Sequence, residues 1–381
     1  MDKFYIVNGQ VYVEHHFEPC TLAVEDGKLR LLPPDHKTDD GDCFDAAGLK
    51  VVPGFIDTHT HGAVGVDVNG ASAEDLEKIS RFMAGNGTTA WLASVLTDTQ
   101  EQTEWCIEQM RLHEKMEQAG AELMGIHLEG PFLAKEYKGA MPEHLLQKNN
   151  LPLVEHYQEL AGGKIRYITI SPELPGANEM IPGLRGLGIV VGIGHSGATY
   201  DQAMEAIAAG ATVGTHVGNA MRLLHQHEPA VFGAVVESDA YAETICDGRH
   251  LHPGTVRFLV KAKGEDRIVA ITDSIMAAGL PDGNYHLGVN NVVVVDGDAK
   301  LASDGTRAGS TLTQNRALKN LMEYTGLGLE RVLPMLTENP AREMGFDHRK
   351  GFIADGMDAD LVLLDGENNV VHVFARGKQV K

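Results

Sequence analysis

Cysteine is scarce. Cys20, Cys43, Cys106 and Cys246 stand far apart and form no C-x-x-C pair. A disulfide framework and a zinc–cysteine site are therefore not expected, and a reducing cytoplasm fits. Long apolar runs are missing too: none approaches the roughly 18 residues that suggest a membrane span. The opening Met1-Asp2-Lys3-Phe4 lacks the basic and apolar regions of a secretory signal, which again leads us to expect a cytoplasmic protein. Basic residues are in deficit. Lys and Arg number 32 against 53 Asp and Glu, a formal charge of −21. Such a surface repels polyanions, so neither nucleic acid nor an anionic membrane is an expected partner. The acidic residues are dispersed, as on a soluble surface, and form no acidic tail.

What is present describes a folded chain. Hydrophobic residues at 43% and charged residues at 22% exclude wholesale disorder. The 43 glycines follow no Gly-X-Y period and are expected in turns. A length of 381 residues suggests two or three units at roughly 150 residues each, although an α/β barrel runs past 250 as one. The 18 histidines are the feature to follow, because several stand in short, tight patterns.

Both ends of the chain read as β structure. FYIVNGQVYVEH alternates around Asn8-Gly9 and TLAVEDGKLRLL around Asp26-Gly27, each a hairpin signal. GFIADGMDADLVLLD and NNVVHVFARGKQV repeat that style near the other end. Residues 1–52 and 346–381 are therefore expected to form one composite β-sandwich domain. Between them, from 53 to 345, eight strand-like runs alternate with helix-length stretches such as 72–86, 99–119, 199–209 and 253–263. The runs are GFIDTHTH, TTAWLASVL, ELMGIHLEG, IRYITISPE, IVVGIGHS, ATVGTHVGN, YAETICDG and RIVAITDS. This alternation predicts an α/β fold, a (β/α)8 barrel. A doubly wound open sheet is the competitor, but no Gly-rich dinucleotide fingerprint follows the first strand.

Function in such a barrel collects at the C-terminal ends of the strands. Five runs end in a candidate metal ligand or carboxylate: His59 and His61, Glu129, His195, His216 and Asp273. His59 and His61 are two apart, so on a strand they face the same way and can grip one ion. Imidazoles and carboxylates without thiolates suit Zn²⁺, Fe²⁺ or another first-row divalent ion. Taken singly, each histidine reads more readily as a hydrogen-bonded structural residue; five such ends in barrel order favour a joint metal site. His127 shares a face with Glu129 and is read as supporting or core. Asp273 follows the apolar run RIVAIT and needs a partner if buried. It reads either as a cap on a following helix or as a general base beside a metal-activated water.

The stretches PGFIDTHTHG, GIHLEGPF, KGA, GHSGAT, THVGNAM, DGRHLHP, ITDSIMAAGLPDG and AGSTLT resemble the amidohydrolase superfamily, and within it the N-acetylglucosamine-6-phosphate deacetylases. The resemblance runs through nearly the whole chain. It implies metal-dependent hydrolysis of the N-acetyl amide of an amino sugar 6-phosphate, in a homodimer. It places Glu129, His195 and His216 on the family's metal site and Asp273 on its acid/base. His59 and His61 would add a second metal, giving one or two ions per subunit, zinc first among candidates. The fourth run, RYITISPE, ends without a lysine, so Glu129 would be the bridge. Asn219, Ala220 and the segment Asp247, Gly248, Arg249 and His250 fall where the family binds sugar phosphate, and Arg307, Ala308 and Gly309 on another substrate loop. Ala140 and Met141 fall on a further contact.

Three positions depart from the family pattern. Met141 stands where many members carry a substrate-touching histidine, and a thioether cannot donate a hydrogen bond. A second metal at His59 and His61 would then supply the missing polarisation. His227 stands where an arginine reaches the phosphate in the neighbouring subunit, and histidine holds phosphate less firmly than a guanidinium. His225, His250, His252 or Arg249 would have to share that load. Gly218 replaces a bulky aromatic. These departures keep two alternatives open: a deacetylase of N-acetylgalactosamine 6-phosphate or of an unphosphorylated N-acetyl sugar, and a non-catalytic metal-binding sugar sensor.

Overall fold

The computed structural model describes residues 3–38 and 41–381. All eight runs form strands: Phe55–Thr60 (β1), Thr88–Leu96 (β2), Glu122–Glu129 (β3), Ile165–Ile170 (β4), Val190–Ile193 (β5), Val213–Gly214 (β6), Tyr241–Ile245 (β7) and Ile268–Ile271 (β8). They pair in parallel in sequence order from β1 to β8. A parallel bridge between Thr60 and Ser274 brings the two ends of the sheet together. Helices follow the strands: Ala73–Gly85 (α1), Gln100–Glu114 (α2), Leu151–Leu160 (α3), Ala177–Gly186 (α4), Tyr200–Ala209 (α5), Ala230–Glu237 (α6), Pro253–Lys263 (α7) and Gln314–Thr325 (α8). This is the (β/α)8 barrel read from the sequence.

Local chemistry sets the boundaries. Ser72 and Asp75 form a capping box at the start of α1, and Thr199 and Gln202 form one at the start of α5. Each satisfies two backbone groups that a helix start leaves open, worth about 1 kcal/mol per cap. The strands are buried on both faces, hence their near-continuous apolar character. Ile56, Leu92, Met124, Tyr167 and Val190 cluster inside the barrel with Met344 and Phe346, which close its lower end. The lower interior is thus filled, and the open space lies at the opposite mouth.

Two further sheets lie beside the barrel. One has six strands and draws on both ends of the chain: Gln10–Val13, His16–Pro19 and Lys50–Pro53 with Leu361–Leu364, Val370–Ala375 and Lys378–Gln379. The other has four: Lys3–Val7, Thr21–Glu25, Lys28–Leu32 and Asp42–Asp45. The Asp26-Gly27 hairpin is present. The Asn8-Gly9 hairpin is not, because the strands on either side of that pair belong to different sheets. Asn8 takes φ +63°, and a Cβ on Gly9 would come within 2.9 Å of Val51. The pair is a crossing between packed sheets, and its partners are set by distant residues.

A buried ion cluster ties these sheets to the barrel. Lys350, with a side chain 1% exposed, lies 2.8 Å from Glu122, 2.9 Å from Asp358 and 2.5 Å from Asp360. Arg349 joins Glu122 at 2.9 Å and Asp358 at 2.7 Å. Burial alone would lower the lysine's pKa, but the three carboxylates reverse that and raise it.

An antiparallel insert, Gly283–Leu287, Asn290–Val295 and Asp298–Leu301, separates β8 from α8. Sequence reading missed it, although Asp296-Gly297 between alternating residues is a hairpin signal. The insert corrects one expectation. No helix begins directly after Asp273, so that carboxylate is not a helix cap.

Candidate metal centre and active site

The seam between β1 and β8 builds one side of the site. Asp57 is fully buried and accepts from the Thr272 hydroxyl at 2.7 Å. The His61 N–H donates to the Ser274 carbonyl at 2.7 Å, and the Asp273 N–H to the His59 carbonyl at 2.9 Å. These bonds set Asp273 beside the two histidines, with Oδ1 3.2 Å from His61 Nε2 and 3.6 Å from His59 Nε2. Opposite, Glu129 ends β3, and Oε1 lies 3.1 Å from Nε2 of both His195 and His216. Its Oε2 lies 3.2 Å from His61 Nε2. The backbone turns sharply to aim these groups: His195, His216 and Asp273 take φ of +47°, +30° and +49°.

Three of the four imidazoles are held in one sense. Nδ1 of His61 faces the Ser94 carbonyl at 3.0 Å, and that of His195 the Tyr137 carbonyl at 2.9 Å. His59 Nδ1 faces Glu243 at 3.3 Å. Each acceptor keeps the proton on Nδ1 and leaves the Nε2 lone pair for the centre. Two triplets result, His59–His61–Glu129 and Glu129–His195–His216, and within each the ligand atoms lie within 4.8 Å of one another. A buried carboxylate among converging nitrogens fits a divalent metal ion, which either triplet would hold. In the absence of metal the same crowding traps protons. Burial lowers the His61 pKa, but Glu129 and Asp273 outweigh it and push the value up to about 9.

His127 lies beneath His59, with ring centroids 4.5 Å apart, and stacks on Tyr167. Ser94 and Thr169 occupy its two nitrogens at 2.9 Å each. Burial holds its pKa well below the usual value, so it is a neutral support. Sequence reading missed Glu243, a fully buried acid on β7. An acid inside an apolar strand was the available signal, since the same argument had singled out Asp273.

Above the centre lies a cavity of about 210 Å³. His61, Glu129, His195, His216 and Asp273 line its floor, and Ala140, Met141, Asn219, Ala220, His250, Arg307, Ala308 and Gly309 its walls. Leu96, Leu287 and Thr306 join them unforeseen. Met141 packs with Leu96 and Leu287 in one apolar cluster. Other expected contacts do not reach this wall. Asp247 acts through His250, accepting from Nδ1 at 2.7 Å. Gly248 forms the turn between them at φ +74°. Arg249 points away, its guanidinium donating to the Asp296 carbonyl. His252 caps α7 by accepting from the Gly254 N–H at 3.0 Å. His227 sits exposed in the loop of residues 222–228, with Leu223 79% exposed beside it.

Known proteins share the sequence and the fold. The amidohydrolase family profile matches residues 50–380. An N-acetylglucosamine-6-phosphate deacetylase from Lysinibacillus sphaericus is 35% identical over 365 residues, covering 96% of this chain and 94% of its own. An N-acetylgalactosamine-6-phosphate deacetylase from Escherichia coli O157:H7 is 33% identical over 327 residues, covering 86% of each chain. The crystal structure of the N-acetylglucosamine-6-phosphate deacetylase from Pasteurella multocida superimposes with a TM-score of 0.93 at 31% identity, covering 99% of both chains. The chain belongs to the amidohydrolase family, among the N-acetylglucosamine-6-phosphate deacetylases.

Proposed function

We infer that this enzyme hydrolyses N-acetyl-D-glucosamine 6-phosphate to glucosamine 6-phosphate and acetate. One observation carries the reading: Asp273 Oδ1 stands 3.2 Å from a ligand-type nitrogen at the floor of the cavity. That is where a proton must be taken from an attacking water. Glu129, His195 and His216 would hold one divalent ion and Glu129, His59 and His61 a second, with zinc our first candidate. A divalent ion held there would supply an activated water and polarise the amide carbonyl. Asp273 Oδ1 accepts the proton of the water that attacks the acyl carbon. As the C–N bond breaks, the same oxygen returns the proton to the departing amine nitrogen. A binder without turnover has no use for a carboxylate so placed.

The sugar phosphate meets Asn219, Ala220, Ala140, Met141, His250 and the Arg307–Gly309 loop. Arg307 is already paired with Asp298 at 2.9 and 3.1 Å, and His250 with Asp247 at 2.7 Å. This pairing leaves the wall short of free positive charge. The proposal therefore includes a homodimer in which His227 reaches the neighbouring subunit's phosphate. It also treats residues 1–52 and 346–381 as one domain and the enzyme as cytoplasmic; no helix among the described residues is long and apolar enough to cross a membrane. The 33% identity to the galactosamine enzyme keeps N-acetylgalactosamine 6-phosphate as the second reading, and the shortage of free charge keeps an unphosphorylated N-acetyl sugar beside it. Acetate release from both epimers, with and without the 6-phosphate, decides between them. No release from any would overturn the enzyme reading.

A further inference from the structure

Glu243 lies outside the ligand set, yet one of its oxygens touches both halves of that set. Its Oε2 is 3.3 Å from His59 Nδ1 and also 3.3 Å from the backbone N–H of His216. Its own carbonyl accepts from the Val217 N–H at 2.9 Å. The side chain is fully buried, as is that of His59. The other ligand histidines with a fixed Nδ1 lean on neutral backbone carbonyls, His61 on Ser94 and His195 on Tyr137. His59 alone among these three leans on a carboxylate.

Beneath Glu243 lies a second buried acid. The Thr58 hydroxyl is 3.4 Å from Glu243 Oε1 and 3.3 Å from Glu343 Oε2. One hydroxyl proton serves one acceptor at a time, and Glu343 Oε1 has no partner. Two bare carboxylates side by side in an apolar interior are costly. Of the two acids, Glu243 is the one that faces a ligand histidine, at His59 Nδ1. A buried anion behind an imidazole fixes its tautomer, orients the ring and makes Nε2 a stronger ligand. Replacing it with an amide removes the charge. It also allows an NH₂ to face Nδ1, which favours the tautomer whose Nε2 carries the proton and cannot bind metal.

We propose that Glu243 is the positioning residue that makes His59–His61–Glu129 a metal site, so that it sets whether the centre holds two ions or one. The inference rests on the metal reading above and not on the identity of the sugar. The test is a metal count. Zn²⁺ is added to saturation, free ion is removed by gel filtration, and zinc per chain is measured for the parent, Glu243→Gln, His59→Asn and the double variant. The parent is expected to hold two ions. Glu243→Gln should bind the second about 10- to 100-fold more weakly while keeping the first. The double variant should hold one ion, as His59→Asn does.

Two ions retained at parental affinity in Glu243→Gln would overturn the proposal. So would loss of both ions, which would mark Glu243 as a prop for His216, and so would a parent that saturates at one. Should Glu243→Gln fail to fold, nitrogen-15 spectra of histidine-labelled, zinc-loaded parent give a second readout. They are expected to show the His59 proton on Nδ1, protected from exchange; finding it on Nε2 overturns the proposal. Acetate release is scored separately. Turnover with no change in metal count defeats this inference alone, and the expected metal counts without turnover defeat the deacetylase reading alone.

Discussion

At the junction of the sheets and the barrel, Lys350 is sealed among Glu122, Asp358 and Asp360. At the barrel mouth, four imidazoles and Asp273 are sealed around Glu129. Both clusters bury several ionisable groups, and the resemblance ends there. The first brings its own cations, Lys350 and Arg349, and every carboxylate meets one. The second brings only groups that lend electron pairs, and it balances by capturing protons. A cluster that is complete holds a fold together; one that is complete only with something added marks where chemistry happens. The two can therefore be separated by experiment.

The largest effect is expected at the mouth. Asp273→Asn should cut turnover by about 10² to 10⁴-fold, the usual worth of a general acid–base, about 3 to 5 kcal/mol of barrier. Zinc content should stay at the parental value, and the melting temperature should not fall. A variant that kept more than a tenth of the acetate release would remove Asp273 from its role.

Next comes the junction. Lys350→Met removes a cation shared by three carboxylates and leaves Asp360 with none; it should cost about 3 to 5 kcal/mol of stability, read by urea unfolding, because breaking a buried pair leaves uncompensated charge. Metal per folded chain should not change. Parental stability in this variant would mean that the junction is not held by charge.

Chelation sharpens the contrast from the other side. Removing metal should lower stability by about 2.7 kcal/mol relative to free ion at 100 times its dissociation constant. Re-addition should release protons, since burial is outweighed at His61 and its pKa stands at about 9 in the metal-free protein. Below that pH, affinity should rise with pH; titrations in buffers of differing ionisation enthalpy check it, and a flat profile would contradict it.

The smallest effect concerns Asp298. The Arg307 hydrogen bond pulls its pKa from 3.8 to about 2. A carboxyl with a depressed folded-state pKa contributes stability above its unfolded value and loses it as pH falls through the folded one. Its share should therefore fade between pH 4 and 2. The partly exposed pair is worth less than about 1 kcal/mol. Acid melts of Asp298→Asn against the parent measure it.

How much of this was legible beforehand follows from how local each cause is. A strand-end histidine reads from its own neighbourhood, because alternation places the strand and the barrel rule places its end. His59 and His61 share a face because they stand two apart on one strand. The partner of a strand is a different matter. Nothing near Asn8-Gly9 says that its flanks join separate sheets, since that depends on Asp42–Asp45 pairing with one flank and Lys50–Pro53 with the other. The motif suggests Arg249 as a phosphate contact, and nothing near it in sequence announces that its guanidinium donates to the carbonyl of Asp296, 47 residues on. Glu243 sat in view as an acid within an apolar strand, and only the fold shows His59 waiting for it.

His195, His216 and Asp273 hold a left-handed backbone that side chains with a Cβ seldom adopt. Such a conformation costs on the order of 1 to 3 kcal/mol at each position, and glycine or asparagine would sit there more easily. Any search that ranks substitutions by melting temperature alone would be drawn to these positions. It would find sturdier proteins there, and each would have given up a group that the proposed reaction depends on.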